Sequence, residues 1–478
     1  MARNWQRREF LQVSGAAAAG GLALGGLRAD ARGEPPAPTR PIAANDHIQI
    51  ALIGAGGQGQ YDTGVALEVP GVKLVATSDC YQNRRERTQE KWGKQIFTTP
   101  DYREVLARPD IDAVIIATPD HWHKQAAIDA MNAGKDVYLE KPMIHHYADG
   151  PEIIAAAQRT GRILQVGSQR VSSMIYRKAK ELLEAGAIGE LNMITAWWDR
   201  NSDVGAWEYW VAPDASPATI EWTRWLGTAP RIPFNADHFF RWRCWQAYGS
   251  GVAGDLFVHL FSGVHFVTSV HGPTRAMATG GLRYWKDGRD VPDVLVGLLD
   301  YPQGFNLAIH VNFVDGGEEN GGITFTGSEG TMAIGGGDSV TLTRVPRRPS
   351  VDYTIDSLTE ATQKRMMANF RREHPLTHPT GDPAARVERF VAPAGYSDSY
   401  DHLANFFSAV RSRQPVVEDP VFGFRAAGAA LLANVSYARG QVVHWDPERM
   451  VLEGGSASRA ARSRRRRARS TRRGRSSR

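Results

Sequence analysis

Cysteine is nearly absent. Cys80 and Cys244 are the only two in 478 residues, which excludes a disulfide scaffold and any cysteine-only metal site. Long apolar runs are missing too. The stretch from Ala16 to Leu27 is well short of the about 20 residues a bilayer span needs, so no stable membrane insertion is expected. No G-x-S-x-G elbow occurs, and with it goes the usual signature of a serine hydrolase. A basic surplus is present only on paper. The formal charge is +6, but residues 451–478 hold eleven Arg and one Glu. Without them 46 basic residues face 50 acidic ones; without residues 1–34 as well, 41 face 47. The body is mildly acidic, and nothing in its charge points to nucleic acid. Hydrophobic residues at 42% and charged residues at 23% are ordinary for a globular chain with a substantial core.

The two ends read as something other than fold. Arg7-Arg8-Glu9-Phe10-Leu11 precedes the short apolar stretch, and Ala29-Asp30-Ala31 follows it. Charged region, apolar region and A-x-A site stand in the order of a cleaved export signal, and the Arg-Arg-x-Phe-Leu core resembles the twin-arginine type. The expectation is a signal over 1–31, a linker over 32–46, the twin-arginine machinery as a partner, and a periplasmic or otherwise extracytoplasmic location. At the other end, 451–478 is almost only Arg, Ser, Ala and Gly. It has no apolar face and reads as a disordered tail, either a solvated extension or a binder of polyanions.

Between them lies an α/β pattern. Ile48 to Ile53 is a short apolar run, followed at once by Gly54-Ala55-Gly56-Gly57-Gln58-Gly59 and a helical stretch. Gly54 suits a tight turn, Gly56 a close backbone approach to a pyrophosphate, and Gly59 close helix–strand packing. A second strand, Val72 to Ser78, ends at Asp79, 20 residues past Gly59, where an acid can hold a ribose. That acid favours NAD over NADP; Arg84 and Arg85 beside it pull the other way. Further strands are expected at 111–117, 136–139 and 161–167, with a helix at 124–133. Strands alternating with helices imply a doubly wound parallel sheet over 47–168. Ligands in such sheets bind beyond the carboxyl ends of the strands, where Asp79, His123, Lys141 and Gln169 all fall.

From Glu190 the pattern changes. Strand-like runs at 193–199, 275–279, 291–301, 306–314, 322–327, 331–334 and 339–344 predict a mostly antiparallel sheet within a second domain, 169–450. A helix is expected near 255–270, and two more at 400–413 and 421–439. Within the first of these, Asp255 and His259 are four apart, which puts both on one helical face. A carboxylate there would orient the imidazole and raise its pKa, and a histidine titrating near neutrality can take a hydroxyl proton while hydride leaves the same carbon. His121, His123, His145 and His146 invite a metal reading, but no further ligand completes a tetrahedral set, so no metal is expected. Eight tryptophans crowd the stretch 197–245, with Arg241 and Arg243 alternating with Trp242 and Trp245. They read mostly as core, with one or two offered to a sugar.

Taken in order, the glycine loop, Thr118-Pro119 with His123, Glu140-Lys141-Pro142 and Asp255-x-x-x-His259 resemble the glucose-fructose oxidoreductase and inositol dehydrogenase family, Gfo/Idh/MocA. Gln169-Arg170 and Trp225-Leu-Gly-x-Ala-Pro230 resemble an exported, sugar-related branch of it. The resemblance covers about 46–450. It implies a Rossmann domain joined to an α/β domain with an open sheet, which often forms the contacts of a dimer or tetramer. It implies tightly held NAD, alternatively NADP, bound through Gly54, Gly56, Gly57, Gln58, Gly59, Asp79, Arg84, Thr118, Pro119, Glu140 and Lys141, with His123 near the nicotinamide ribose. His259 is then the acid/base on a sugar, polyol or glycoside hydroxyl, with Lys141 and Asp255 assisting. Gln169, Arg170, Arg241 and Trp242 are expected at the substrate. Two other readings stay open: a redox-neutral enzyme that cleaves glycosides by oxidation, elimination, hydration and reduction, and a non-catalytic sugar or nucleotide binder.

Overall fold

The structure, a computed structural model, describes residues 47–345, 349–374 and 386–453. The expected signal and linker, and the Arg-rich tail beyond Glu453, lie outside the described residues.

The first domain alternates as its sequence demands. β1 (Ile48–Ile53) leads into α1 (Gly57–Ala66), then β2 (Val72–Ser78), α2 (Gln82–Trp92), β3 (Phe97–Thr99), α3 (Tyr102–Leu106) and β4 (Ala113–Ile116). α4 (His123–Asn132), β5 (Asp136–Glu140), α5 (Asp149–Thr160), β6 (Leu164–Gly167) and α6 (Met174–Glu184) complete it. The strands form one parallel sheet in the order β3-β2-β1-β4-β5-β6. The strand order reverses between β1 and β4, and such a switch point opens a crevice at the strand ends. β6 starts later than the sequence suggested because Gly161 is spent capping α5 at φ +64°.

The second domain is built on a ten-stranded sheet. Its strands are β7 (Leu191–Asp199), β8 (Arg275–Gly281), β9 (Val294–Asp300), β10 (Asn306–Asn312), β11 (Asn320–Gly327), β12 (Gly330–Gly335), β13 (Ser339–Arg344), β14 (Arg386–Val391), β15 (Val443–Asp446) and β16 (Val451–Glu453). The order is β14-β13-β12-β11-β7-β10-β9-β8-β15-β16, and only the β7–β10 pair is parallel. The tail expected from 451 therefore begins no earlier than 454. Helices cover one face of this sheet, where Ile194, Ala196, Leu295, Leu299, Leu307 and Ile309 are buried. By register the other face carries Met193, Met277, Val296 and Leu298, all exposed.

Among the described residues six helices belong to this half: α7 (Trp222–Leu226), α8 (Ala236–Phe240), α9 (Val258–Thr268), α10 (Glu360–Glu373), α11 (Asp398–Ser412) and α12 (Pro420–Arg439). The helix expected at 255–270 is present, but it changes type near its start. Ala253–Phe257 is a π-helical turn, and α9 begins only at Val258. α11 leaves its own domain. Leu403, Phe406 and Phe407 pack with Ile48, Ile50, Leu52, Ala113 and Ile115 on the first sheet. Gln165 Nε2 donates to the His402 carbonyl at 2.7 Å, and Arg413 forks onto Asp136 at 2.6 and 3.0 Å.

Two glycines of the loop differ in what they permit. A Cβ on Gly59 would stand 2.1 Å from the Gly54 carbonyl oxygen, whereas one on Gly57 would meet nothing within 4 Å. Gly59→Ala is expected to cost about 1–3 kcal/mol through overpacking, and Gly57→Ala to leave stability within about 1 kcal/mol of the parent. Urea denaturation of both variants checks the contrast.

Candidate active site

The glycine loop turns at Gly54, whose φ is +91° and where a Cβ would stand 2.7 Å from the Ala117 carbonyl oxygen, so any side chain would be strained. α1 then starts at Gly57 with Gly56 as its N-cap and no side chain capping it. Its first N–H groups are therefore left for a ligand, and an uncapped helix N-terminus favours an anion. The open space beside Gly57 and the uncapped N–H groups fit a dinucleotide pyrophosphate. Asp79 sits just past β2 and turns back to the loop: Oδ2 accepts the Ala55 N–H at 2.7 Å and Oδ1 the Tyr81 N–H at 2.8 Å. Arg84 stands 3.7 Å from Asp79, its guanidinium over the Phe239 ring at 5.0 Å. Gly54, Gly56, Gly57, Gln58, Asp79, Arg84, Thr118, Pro119, Glu140, Lys141 and Trp242 all line one cavity. Gly59 does not; it packs behind the loop.

At the far end of that cavity the two domains meet. Lys141, just past β5, donates from Nζ to Asp255 Oδ1 at 2.8 Å and to the Asp255 carbonyl at 3.0 Å. Arg243 Nε reaches the same Oδ1 at 3.0 Å. Burial alone would raise the Asp255 pKa, but Lys141 and Arg243 hold it well below the carboxylate range. Asp255 thus keeps the Lys141 side chain aimed. Arg243 is the member that sequence reasoning missed. Its place among the tryptophans was the visible signal, but Arg241 was chosen instead.

Asp255 does not do for His259 what the spacing suggested. Asp255 Oδ1 is committed to the two cations, and His259 Nδ1 is buried without a partner. Burial, then Lys141 and Arg170, push the imidazole pKa well below its usual value, outweighing Asp255. The expectation of a raised value is corrected: the shift is downward, towards the neutral ring. It packs by the Trp198 ring at 5.5 Å.

His259, Trp198, Gln169 and Arg170 line a second cavity, and Gln58 lines both. Gln169 Nε2 donates to Glu140 Oε1 at 3.0 Å and to the Tyr138 hydroxyl at 3.2 Å. The Arg170 guanidinium lies over Trp198 at 4.8 Å. Trp198, not singled out from the sequence, is the indole beside His259.

Two expected residues are elsewhere. His123 is buried, its Nδ1 2.7 Å from the Pro142 carbonyl and its Nε2 2.9 Å from that of Thr118. It pins two strand ends together from behind and reaches neither cavity; burial lowers its pKa. Arg241 turns to Glu208, with its Nε on the Tyr209 carbonyl at 2.9 Å, and so braces a loop.

Comparison with known proteins follows this division. Residues 48–168 match the oxidoreductase family with an NAD-binding Rossmann fold, GFO_IDH_MocA, and residues 219–333 match the GFO/IDH/MocA C-terminal domain. An inositol 2-dehydrogenase of Gluconacetobacter diazotrophicus is 33% identical over 160 residues, 33% of this chain and 47% of its own. A glycosyl hydrolase family 109 protein of Shewanella baltica is 31% identical over 208 residues, 39% of this chain and 44% of its own. The chain spans about half the length of these curated relatives. The solved structure of levoglucosan dehydrogenase with NADH and levoglucosan superposes with a TM-score of 0.61 at 17% identity, over 83% of this chain and 99% of that one. At that identity the likeness is one of fold.

Asp255→Ala leaves Lys141 and Arg243 facing each other without their carboxylate. Breaking such a pair from one side costs about 3–5 kcal/mol, to be read by urea denaturation. Because the Asp255 pKa is depressed, its contribution is complete above the ordinary carboxylate value and lost as pH falls below it. The deficit is therefore expected to be flat from pH ~5 upward.

Proposed function

We propose that this chain, which belongs through its two matched domains to the Gfo/Idh/MocA oxidoreductase family, transfers hydride between a bound nicotinamide cofactor and a hydroxyl-bearing carbon of a sugar, polyol or glycoside. The observation that carries the reading is a convergence: Lys141 closes the cavity that begins at the glycine loop, while neutral His259 lines the adjoining one. Bound at the loop, the cofactor supplies the hydride acceptor or donor. Gly56 and the start of α1 hold its phosphates, and Asp79 its adenosine ribose. His259 takes the hydroxyl proton. A neutral imidazole needs no prior deprotonation, so its readiness persists well below pH 6.5. Lys141 commits two of its three ammonium hydrogens to Asp255 and has one to polarise the substrate oxygen. Trp198 offers an apolar face to sugar C–H groups. The relatives include an inositol dehydrogenase and the structural neighbours a levoglucosan dehydrogenase, both in keeping with a cyclic polyol or sugar.

His259→Ala is expected to cost about 10²–10⁴-fold in turnover while NADH binding, followed by fluorescence, stays near normal. Near-normal turnover in the variant removes His259 from the mechanism.

A second reading has one observation in its favour, the likeness to a family 109 glycosyl hydrolase. There the same groups would run oxidation and reduction within one cycle. Absorbance of the reduced nicotinamide during turnover of a sugar or glycoside separates the two: accumulation marks net redox, whereas aglycone release without accumulation marks the closed cycle.

Export belongs to the same proposal. Arg7-Arg8 and the apolar stretch behind them suit a route that carries folded protein, and a cofactor seated beforehand would stabilise that fold by mass action. Changing Arg7 and Arg8 to Lys together is expected to leave the protein in the cytoplasm, as fractionation and immunoblotting would read. Wild-type protein is expected to leave with tightly held NAD(H) or NADP(H).

A further inference from the structure

Beneath both cavities lies a group of acids with no role in the reaction described. Asp62, on α1, is 1% exposed, and Glu140, the last residue of β5, is 4% exposed. Asp62 Oδ1 accepts from Gln58 Nε2 at 2.8 Å, while Oδ2 is buried with no donor. The group within hydrogen-bonding reach of Asp62 on its other side is the Glu140 carboxyl. Glu140 spends its oxygens on Gln169 Nε2 at 3.0 Å and on the Lys141 N–H at 3.2 Å.

Two ionised carboxylates offer each other only lone pairs. One proton converts that repulsion into an O–H···O bond and satisfies the orphaned oxygen. We propose that Asp62 and Glu140 hold a single proton between them near neutral pH, and that Asp62 is thereby a positioning residue that ties the glycine-loop helix to the Lys141 strand.

The donors decide where the proton sits. Glu140 receives two N–H groups, which favour its ionised form, so the proton belongs mainly to Asp62. Burial raises both groups, Asp62 well above the usual range and Glu140 to about 7. The other charges facing the pair are Lys141 on the same strand end, Arg243 from the Trp242–Cys244 turn, and Glu418 from the segment before α12. Tyr138 stands beside them on β5. Glu418 is fully buried, and that burial raises its carboxyl pKa.

The consequence reaches the ligands. Gln58 and Gln169 commit their amide nitrogens inward, to Asp62 and to Glu140 with Tyr138. Their carbonyl oxygens remain for the cavities they line, as acceptors suited to hydroxyl-rich ligands. Loss of the shared proton would put two adjacent charges in the wall and push α1 away from β5.

The test uses the full chain carrying Asp62→Asn. Asn has the same shape and supplies an N–H to Glu140, so no proton is needed. Native pKa values raised above unfolded ones give stability that is complete at low pH and lost as pH rises. The melting temperature of the variant minus that of wild type is therefore expected to climb by roughly 5 °C between pH 5 and pH 9. Glu140→Gln, which donates to Asp62 from the other side, is expected to show the same trend, and it decides the matter if Asp62→Asn fails to fold. The wild-type dissociation constant for NADH is expected to weaken roughly tenfold over the upper half of that range, and that of Asp62→Asn much less. Parallel melting curves would overturn the shared proton. Diverging melting curves with identical pH dependence of NADH binding would overturn the positioning role. This last readout rests on the proposed cofactor site; NADH that binds at no pH sinks that site instead, and the melting curves still judge the pair.

Discussion

A lysine and an aspartate cannot be buried together without deciding what surrounds them. Lys141 comes from the end of a parallel strand and Asp255 from a π-turn of the other domain, and their 2.8 Å contact sits where the halves join. Charges removed from water need partners with good geometry, so the contact fixes how the strand end and the turn face each other. It also allocates charge. With its carboxylate committed to Lys141 and Arg243, Asp255 has little left for His259. Burial, together with Lys141 and Arg170, lowers the imidazole pKa.

Much of this was legible in the residues. The apolar runs, glycine loop and strand-end acid dictate the parallel sheet, because a buried parallel strand can hardly be written otherwise. The alternation in Val294–Asp300 and Asn306–Asn312 is the mark of a sheet with one face covered. What failed to show has physical reasons. α10 buries no residue and β14 almost none, so neither leaves a hydrophobic period to find. The π-turn carries no signal in Ala253–Phe257. A spacing of four therefore does not reveal that Asp255 bonds to Lys141 and Arg243 rather than to His259.

His123 and Arg241 teach a related point. Each stands beside a residue that does line a cavity, and each turns away because its partner comes from elsewhere: the Pro142 carbonyl for one, Glu208 for the other. Motif position placed them to within a side chain's length. Which of two neighbours faces inward is set by contacts that no local pattern encodes. Asp62 was invisible for the same reason: a lone acid on an otherwise unremarkable helix acquires its chemistry only when β5 delivers Glu140 beside it.

α11 has a consequence for how the molecule comes into being. The first sheet is complete in sequence at Gly167, yet the side chains that cover one of its faces, Leu403, Phe406 and Phe407, are still far from being synthesised. The half that leaves the ribosome first must therefore wait, one apolar face only partly covered by Val65, Ala66 and Val69, for the chain to be almost finished. Domains generally mature as units in the order they are made; here that order is broken. Any fragment released before Phe407 is a client for chaperones and proteases, and the two halves can reach their final state only together.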